Sequence, residues 1–337
     1  MAATIATRII ILSDTHGEEL IHSIPSEENM DVVIHCGDMT DESTLKEYHT
    51  AIQTLRNIKA PLKLVIPGNH DFSLDEDAFQ NHLSEAHERI NDDQLLEKTY
   101  GKVGDARALF TAEDNIILLD EGIHHFDLKN GAHLTVYASP YTASKSTGWG
   151  YSYDPDQQEH EWNIKPGVDL VMTHSPPKGM LDYTDTRVRA GISSLFEAVA
   201  QAKPKVHCFG HIHEAWGGKL VAWREQIPDA PSHFTAIDNG KSRVIERKFD
   251  VIDEERLVKY QAKGYREIDD VKIGQSEQTL FVNAAIEGSK EGQQQLPWML
   301  NIQLPQSQLI SSEGNKKRSR SADVDGETET SCKRPKE

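Results

Sequence analysis

Five short apolar runs in this chain each end in side chains that bind divalent metals. Residues 8–13 run into Asp14-Thr15-His16-Gly17, residues 31–36 into Gly37-Asp38, and residues 62–66 through Pro67-Gly68 into Asn69-His70. Residues 168–172 lead to Thr173-His174, and residues 205–209 to Gly210-His211-Ile212-His213. Carboxylate, imidazole and amide oxygen together suit Mn²⁺, Fe or Zn²⁺ rather than a soft thiolate site. Asp14 with His16, and His211 with His213, are two residues apart and point the same way on extended backbone. Gly37 and Gly210 precede ligands, where a missing Cβ lets the backbone come close to a metal. Singly, each piece is ordinary, since Asp-Thr-His-Gly is also turn chemistry and a strand-end His is often structural. All five in order, each after an apolar run, form one pattern.

Such ends must be held by strands, and α/β sites lie beyond the carboxyl ends of strands. Leu45, Tyr48, Ile52 and Leu55 share one helical face between the second and third runs, which implies crossover connections and a largely parallel sheet. Residues 75–93 predict an acidic amphipathic helix, with Phe79, Leu83, Ala86 and Ile90 on its apolar stripe. Residues 116–138 switch to period two around a Lys129-Asn130-Gly131 turn, a hairpin signal. Residues 192–202 predict a helix, and residues 279–284 and 298–304 late strands. The charged stretch 219–278 reads as an excursion of surface strands and loops. From residue 305 the apolar pattern stops, and 305–337 reads as a disordered tail.

Composition narrows the class. The chain has 337 residues, 37 % hydrophobic and 27 % charged, which supports a real core in one large α/β unit or two domains. No apolar run nears the ~18–20 residues that span a bilayer, and the stretch between Arg8 and Asp14 is too short for a signal peptide. Net charge is −18, and a tail of net +1 over residues 311–337 leaves −19 on the rest. So acidic a body repels polyphosphate backbones and argues against nucleic acid as partner. Cys36, Cys208 and Cys332 form no disulfide framework and no CxxC pair, which fits a reducing compartment.

The ordered set DTHG, GDMTD, GNHD, VMTHSPP and GHIH resembles the signature of calcineurin-like metallophosphoesterases. It is most similar to their metallophosphoesterase-domain-containing branch, through Ser139-Pro140-Tyr141-Thr142, Gly148-Trp149-Gly150, Thr173-His174-Ser175-Pro176-Pro177 and His213-Glu214-Ala215-Trp216-Gly217. The resemblance implies a four-layer αββα sandwich over residues 1–304. It further implies that Asp14, His16 and His213 hold one metal, Asn69, His174 and His211 a second, and Asp38 bridges them. His70 matches the catalytic His that contacts phosphate and protonates the leaving group. The cofactors implied are two divalent ions, Mn²⁺ first, with Fe or Zn as alternatives. The implied reaction is attack of a metal-bound hydroxide on a small phosphate ester.

Departures from neighbouring branches sharpen that expectation. Protein phosphatases of this fold carry Arg after the bridging Asp and before GNHE. Here those stretches read Gly37-Asp-Met-Thr-Asp-Glu42 and Ile66-Pro-Gly-Asn-His-Asp71, so a dianionic phosphoprotein group lacks its fork-like partners. Asp41 stands where purple acid phosphatases place a Tyr ligand. Some members of the branch have Gly for the first His of GHxH, whereas His211 is present here. Small phosphodiesters, cyclic nucleotides among them, are therefore the expected substrates. The alternatives are a phosphomonoesterase or a catalytically weak metal-binding scaffold.

Other residues read more simply. His82 and His87 belong to a solvated helix face, His124-His125 to an exposed hairpin, and His35 and His207 to packing beside the motifs. Trp149 reads equally as a nucleobase platform or an anchor, and Asp41, Asp71 and Asp182 as residues that orient ligands. Lys316-Lys317-Arg318-Ser319-Arg320 and Lys333-Arg334-Pro335-Lys336 resemble a bipartite nuclear import signal, and a solvated tail explains them as well. The expected location is cytoplasmic or nuclear, with no membrane partner.

Overall fold

The computed structural model describes residues 3–90, 92–146, 148–268, 277–288 and 293–308. In the first sheet β1 (Thr4–Leu12), β2 (Val32–His35), β3 (Leu62–Val65) and β4 (Ile116–Leu118) lie side by side and parallel. Helices α1 (Leu45–Asn57), α2 (Glu76–Ile90), α3 (Asp93–Tyr100) and α4 (Asp105–Thr111) fall between these strands in sequence. The chain then passes to β5 (Gly122–Asp127), β6 (His133–Ser139) and a small ribbon of β7 (Thr142–Ala143) with β8 (Ser152–Tyr153). There follow β9 (Leu170–Thr173), α5 (Ser193–Ala202), β10 (Val206–Phe209), β11 (Gly217–Ala222), β12 (Arg243–Arg247) and α6 (Glu254–Lys263). The last strands are β13 (Arg266–Glu267), β14 (Gln278–Asn283) and β15 (Trp298–Pro305). The second sheet has the order β12-β11-β14-β10-β9-β6-β5, while β13 and β15 return to the first.

Strands buried on both faces explain the continuous apolar runs. Alternate residues of each sheet divide between a core shared by the two sheets and an outer one under the helices. Ile9, Ile11, Val32 and Ile34 pack inward against Val136, Leu170, Val206 and Leu280 of the other sheet. Ile10, Leu12 and Val33 face Tyr48, Ile52 and Leu55 of α1 and Phe110 of α4. Val171, Phe209 and Phe281 face Leu195, Phe196 and Val199 of α5. Helices, sheet, sheet and helix thus form the four layers of an αββα sandwich. The entry to α1 is fixed by a capping box between Thr44 and Glu47, which satisfies two backbone donors at its N-terminus.

Two stretches differ from their sequence reading. Residues 116–118 do not join the hairpin of β5 and β6 but extend the first sheet beside β3, because Ile116 belongs to the helix-facing core. Within the charged 219–278 stretch, β11 is an internal strand paired on both edges, and Val221 is fully buried. Its half-exposed Lys219 and Leu220 after Gly217-Gly218 mask the alternation. Residues 269–276 and 309–337, including Cys332 and both basic tail clusters, lie outside the described residues. Cys36 and Cys208 are buried free thiols. No helix among the described residues is long and apolar enough to cross a membrane.

Candidate metal centre

The five loops meet beyond the carboxyl ends of β1, β2, β3, β9 and β10, on the seam between the sheets. There Ser13 bridges to Ala285, and its carbonyl accepts a hydrogen bond from the Ile286 N–H at 2.9 Å. Three donor groups form at the seam: Asp14, His16 and His213; Asp38, His174 and His211; and, at the rim, His16, Asp41 and His70. In the first, His213 Nε2 stands 3.1 Å from Asp14 Oδ1 and 3.4 Å from His16 Nε2. In the second, His174 Nε2 stands 3.2 Å from Asp38 Oδ2 and 3.0 Å from Asn69 Oδ1. Asp38 Oδ2 is also 3.9 Å from His16 Nε2, so this carboxylate oxygen lies between the two groups.

The local backbone is bent to bring these atoms together. Asp14, His16, Asp38 and His211 all have left-handed φ, between 44° and 67°, a region costly for residues with a side chain. Gly68 and Gly210 make room: a Cβ would lie 2.2 Å from Asp38 Oδ1 at the first and 2.0 Å from Asp14 Oδ2 at the second. Asp71, fully buried, accepts hydrogen bonds from Gly68 N–H, Met39 N–H and both donors of Thr40, and so ties the Asp38 loop to the Asn69 loop. Burial and the neighbouring Asp38 charge push its carboxyl up to about 6.

The electrostatics favour cations. Burial raises the Asp14 carboxyl, but the hydrogen bond and charge of His213 outweigh it and hold the group at about 2. Burial likewise opposes ionisation of Asp38, and the charge and hydrogen bond of His174 hold it well below the usual carboxylate range. His174 is lowered by burial and raised by Asp38 to about 9, and His213 by Asp14 and Glu287 to about 10. Burial keeps His211 neutral, at about 4. No Lys or Arg hydrogen-bonds these buried carboxylates among the described residues. Their demand for positive charge, the buried His16 Nδ1 that lacks a hydrogen-bond partner and the hard-to-borderline donor set all fit divalent metal ions.

His70 lies at the rim, its Nδ1 donating to the Asp41 carbonyl at 2.8 Å and its backbone N–H to Asp38 Oδ1 at 2.8 Å. The Trp149 ring packs 4.5 Å from the His70 ring, and Gly150 N–H donates to the Asn69 carbonyl at 2.9 Å. Asp41 Oδ1 is 3.6 Å from His16 Nδ1 and 3.5 Å from His70 Nδ1. His35 and His207 are buried and bond Thr15 and Thr173, next to the candidate ligands Asp14, His16 and His174. His82 is not purely solvated: it stacks on Phe72 at 3.9 Å and meets the Gly148 carbonyl. Asp182 is turned away from the cluster, toward Gly179, Gly191 and Arg189.

Sequence reasoning missed Glu287. Its Oε2 lies 2.7 Å from His213 Nδ1 and 3.3 Å from His16 Nε2. It follows β14 without motif or spacing to mark it, and only the seam contact brings it in. Asn283, likewise unmarked, donates to the Ile212 carbonyl at 3.0 Å and holds the His211-Ile212-His213 loop.

The chain belongs to the calcineurin-like phosphoesterase family, whose model matches residues 7–215. It is 31 % identical over 237 residues to the probable rhamnogalacturonate lyase C of Emericella nidulans, a match over 70 % of this chain and 19 % of that protein. It is 31 % identical over 218 residues to UPF0046 protein T07D4.2 of Caenorhabditis elegans, over 62 % of this chain and 52 % of that one. Metallophosphoesterase domain-containing protein 1 of Homo sapiens is 30 % identical over 216 residues, 63 % of this chain and 62 % of that protein. The chain therefore spans less than two thirds of the length of each of these relatives.

Proposed function

We propose that this chain is a dinuclear metal-dependent phosphoesterase that prefers small phosphodiesters, cyclic nucleotides among them. The observation that carries the reading is two of the donor groups, Asp14/His16/His213 and Asp38/His174/His211, set side by side with the Asp38 carboxylate between them and His70 on their rim. Asp14, His16 and His213 would hold one ion, Asn69, His174 and His211 the other, and Asp38 both. Mn²⁺ suits these donors, with Fe or Zn as alternatives. Divalent ions held there would neutralise charge on the phosphoryl oxygens and lower the pKa of the attacking water.

The chain's own residues supply the rest. With Nδ1–H committed to the Asp41 carbonyl, His70 keeps Nε2 for the ester. Protonated there, it donates to a phosphoryl oxygen and passes its proton to the departing oxygen, a contribution of about 10²–10⁴-fold. Trp149 walls one side of the His70 ring and limits how far it can turn. The loops after Asp38 and before Asn69 carry no Arg, so a monoanionic diester is a better match than a dianionic monoester. The phosphoesterase domain is taken as residues 1–304, with an intracellular location and the basic tail clusters serving nuclear import.

The test compares bis-p-nitrophenyl phosphate with p-nitrophenyl phosphate, using metal-stripped protein to which Mn²⁺ is returned. Expected are Mn²⁺-dependent cleavage favouring the diester, loss of turnover in Asp38→Asn, and a drop of about 10²-fold or more in His70→Ala. Two ions bound with neither ester cleaved would refute the reading and leave a metal-binding scaffold. A monoester preference would make it a phosphomonoesterase.

A further inference from the structure

Next to the metal centre lies a cavity of about 620 Å³ that none of the candidate ligands lines. Five cationic side chains surround it, Arg187, Arg189, Lys219, Arg247 and Lys248, against two carboxylates, Asp185 and Glu214. In a chain of net charge −18 this is a local reversal of sign. Arg189 is paired, its Nη1 standing 2.6 Å from Asp182 Oδ1, and Lys248 Nζ donates to the His213 carbonyl at 3.1 Å. The side chains of Arg187, Lys219 and Arg247 have no carboxylate or hydrogen-bond partner among the described residues. Like charges gathered in one concavity repel, and an anion placed among them removes that cost.

The fold builds this wall rather than leaving it to chance. β11 and β12 pair with Gly217 opposite Arg247 and Gly218 opposite Glu246, and then a bulge sets Lys219 opposite Val244. The extra residue, Ile245, shifts the alternation, so Lys219, Val244 and Arg247 share the face that lines the cavity. Across from them, fully buried Asp182 accepts from Gly179 N–H at 2.9 Å and Gly191 N–H at 3.3 Å and fixes the loop carrying Arg187 and Arg189. Burial, with Arg189 and Arg247 nearby, lowers the Lys219 ammonium pKa. Exposed Tyr183 and Phe249 add apolar surface for the body of an organic anion. Glu214, Ala215 and Trp216 of the wall directly follow His213, so cavity and metal centre share one turn.

We infer that this cavity receives a second phosphate, carried by the substrate beyond the scissile ester, and that the chain selects small esters bearing two phosphates over those bearing one. The inference rests on the phosphoesterase reading above. Its test uses the full Mn²⁺-loaded chain with the p-nitrophenyl ester of thymidine 5′-phosphate, with and without a 3′-phosphate. The 3′-phosphate is expected to raise kcat/KM by about tenfold or more, chiefly through KM, by charge-assisted hydrogen bonds. In the Lys219→Ala/Arg247→Ala double variant the ratio should shrink to within about twofold. Equal turnover of the two esters by the parent chain, or a preference that survives the double variant, overturns the proposal. A second arm titrates thymidine 3′,5′-bisphosphate calorimetrically into the full chain held in EDTA, and binding should weaken by about tenfold in the double variant. Indistinguishable binding there also overturns it. If neither ester is cleaved yet binding still falls in the double variant, the phosphoesterase reading fails and phosphate binding by the cavity stands.

Discussion

Gly68→Ala is the most direct probe of how the centre is assembled. Gly68 does not lie in the left-handed region, so the substitution adds no backbone strain and acts only through its new methyl group. That Cβ would sit 2.2 Å from Asp38 Oδ1, 2.4 Å from the Asp38 backbone nitrogen and 2.7 Å from His174 Cε1. Relief to ordinary contact requires a shift of about 1 Å, and the collision with backbone means that rotating the Asp38 side chain is not enough. Oδ1 also accepts the His70 N–H at 2.8 Å, a bond the displacement breaks. Overpacking of about 1–3 kcal/mol plus a lost hydrogen bond to a charged group, about 1.5–3 kcal/mol, gives a total of roughly 2.5–6 kcal/mol. Metal affinity should fall by about 10–100-fold, the range for displaced supporting contacts. Urea unfolding reads the stability, and competition with a chelator reads Mn²⁺ affinity. Gly167→Ala is the control, since a methyl there meets nothing within 4 Å and only its left-handed φ of 94° is penalised. A Gly68→Ala chain that unfolds and binds Mn²⁺ like the parent would show that the loops are not packed this tightly.

Glu287→Gln removes the charge 2.7 Å from His213 Nδ1 and should weaken Mn²⁺ binding about 10–100-fold, read by the same chelator competition; unchanged affinity would make Glu287 a bystander. His207 is held by burial at about 3 against an ordinary 6.5, so below 6.5 the unfolded chain takes up a proton that the folded chain refuses. Its contribution is complete above pH 6.5 and is lost as pH falls toward 3, with a slope approaching ~1.4 kcal/mol per pH unit. In His207→Gln the decline of stability between pH 6 and pH 4 should be shallower by about that amount, and an identical decline would contradict the assignment. Arg266, buried over Tyr260 at 4.6 Å, has Nη2 3.4 Å from Glu246 Oε1. Glu246→Ala should cost about 3–5 kcal/mol in urea unfolding, and adding Arg266→Met should restore most of it; a single variant as stable as the parent would remove the pair from the account.

Motif residues and strand ends could be read directly because a strand buried on both faces is a continuous apolar run, and the first polar residue after it marks the sheet edge. That is why the loops at Asp14, Asp38, Asn69, His174 and His211 were evident in one dimension. Glu287 was not, because its place depends on the Ser13–Ala285 bridge between distant segments, which leaves no periodic trace. Residues 116–118 were ambiguous for a related reason: a short apolar run before a hairpin gives no hint of which sheet it enters. β11 escaped because it opens on two glycines and its central Lys219 and Leu220 are both half-exposed, while the bulge in β12 brings Val244 and Arg247 onto the face of Lys219 that lines the basic cavity. Asp182 looked like a ligand-orienting acid by type alone, whereas its partners are backbone amides and Arg189 of the cavity loop.

β1, which delivers Asp14 and His16, is paired on one side with β2 and on the other with β15, in a register running from Thr4↔Pro305 to Ile11↔Trp298. Loop closure over so many residues is slow and entropically costly. During synthesis the first strand therefore waits for one of the last, with an unpaired edge open to aggregation until β15 emerges. On the proposed reading, metal loading would be a late step in the life of the chain, and a nascent polypeptide stalled just before residue 298 would hold all seven proposed ligands without the closed sheet that positions two of them.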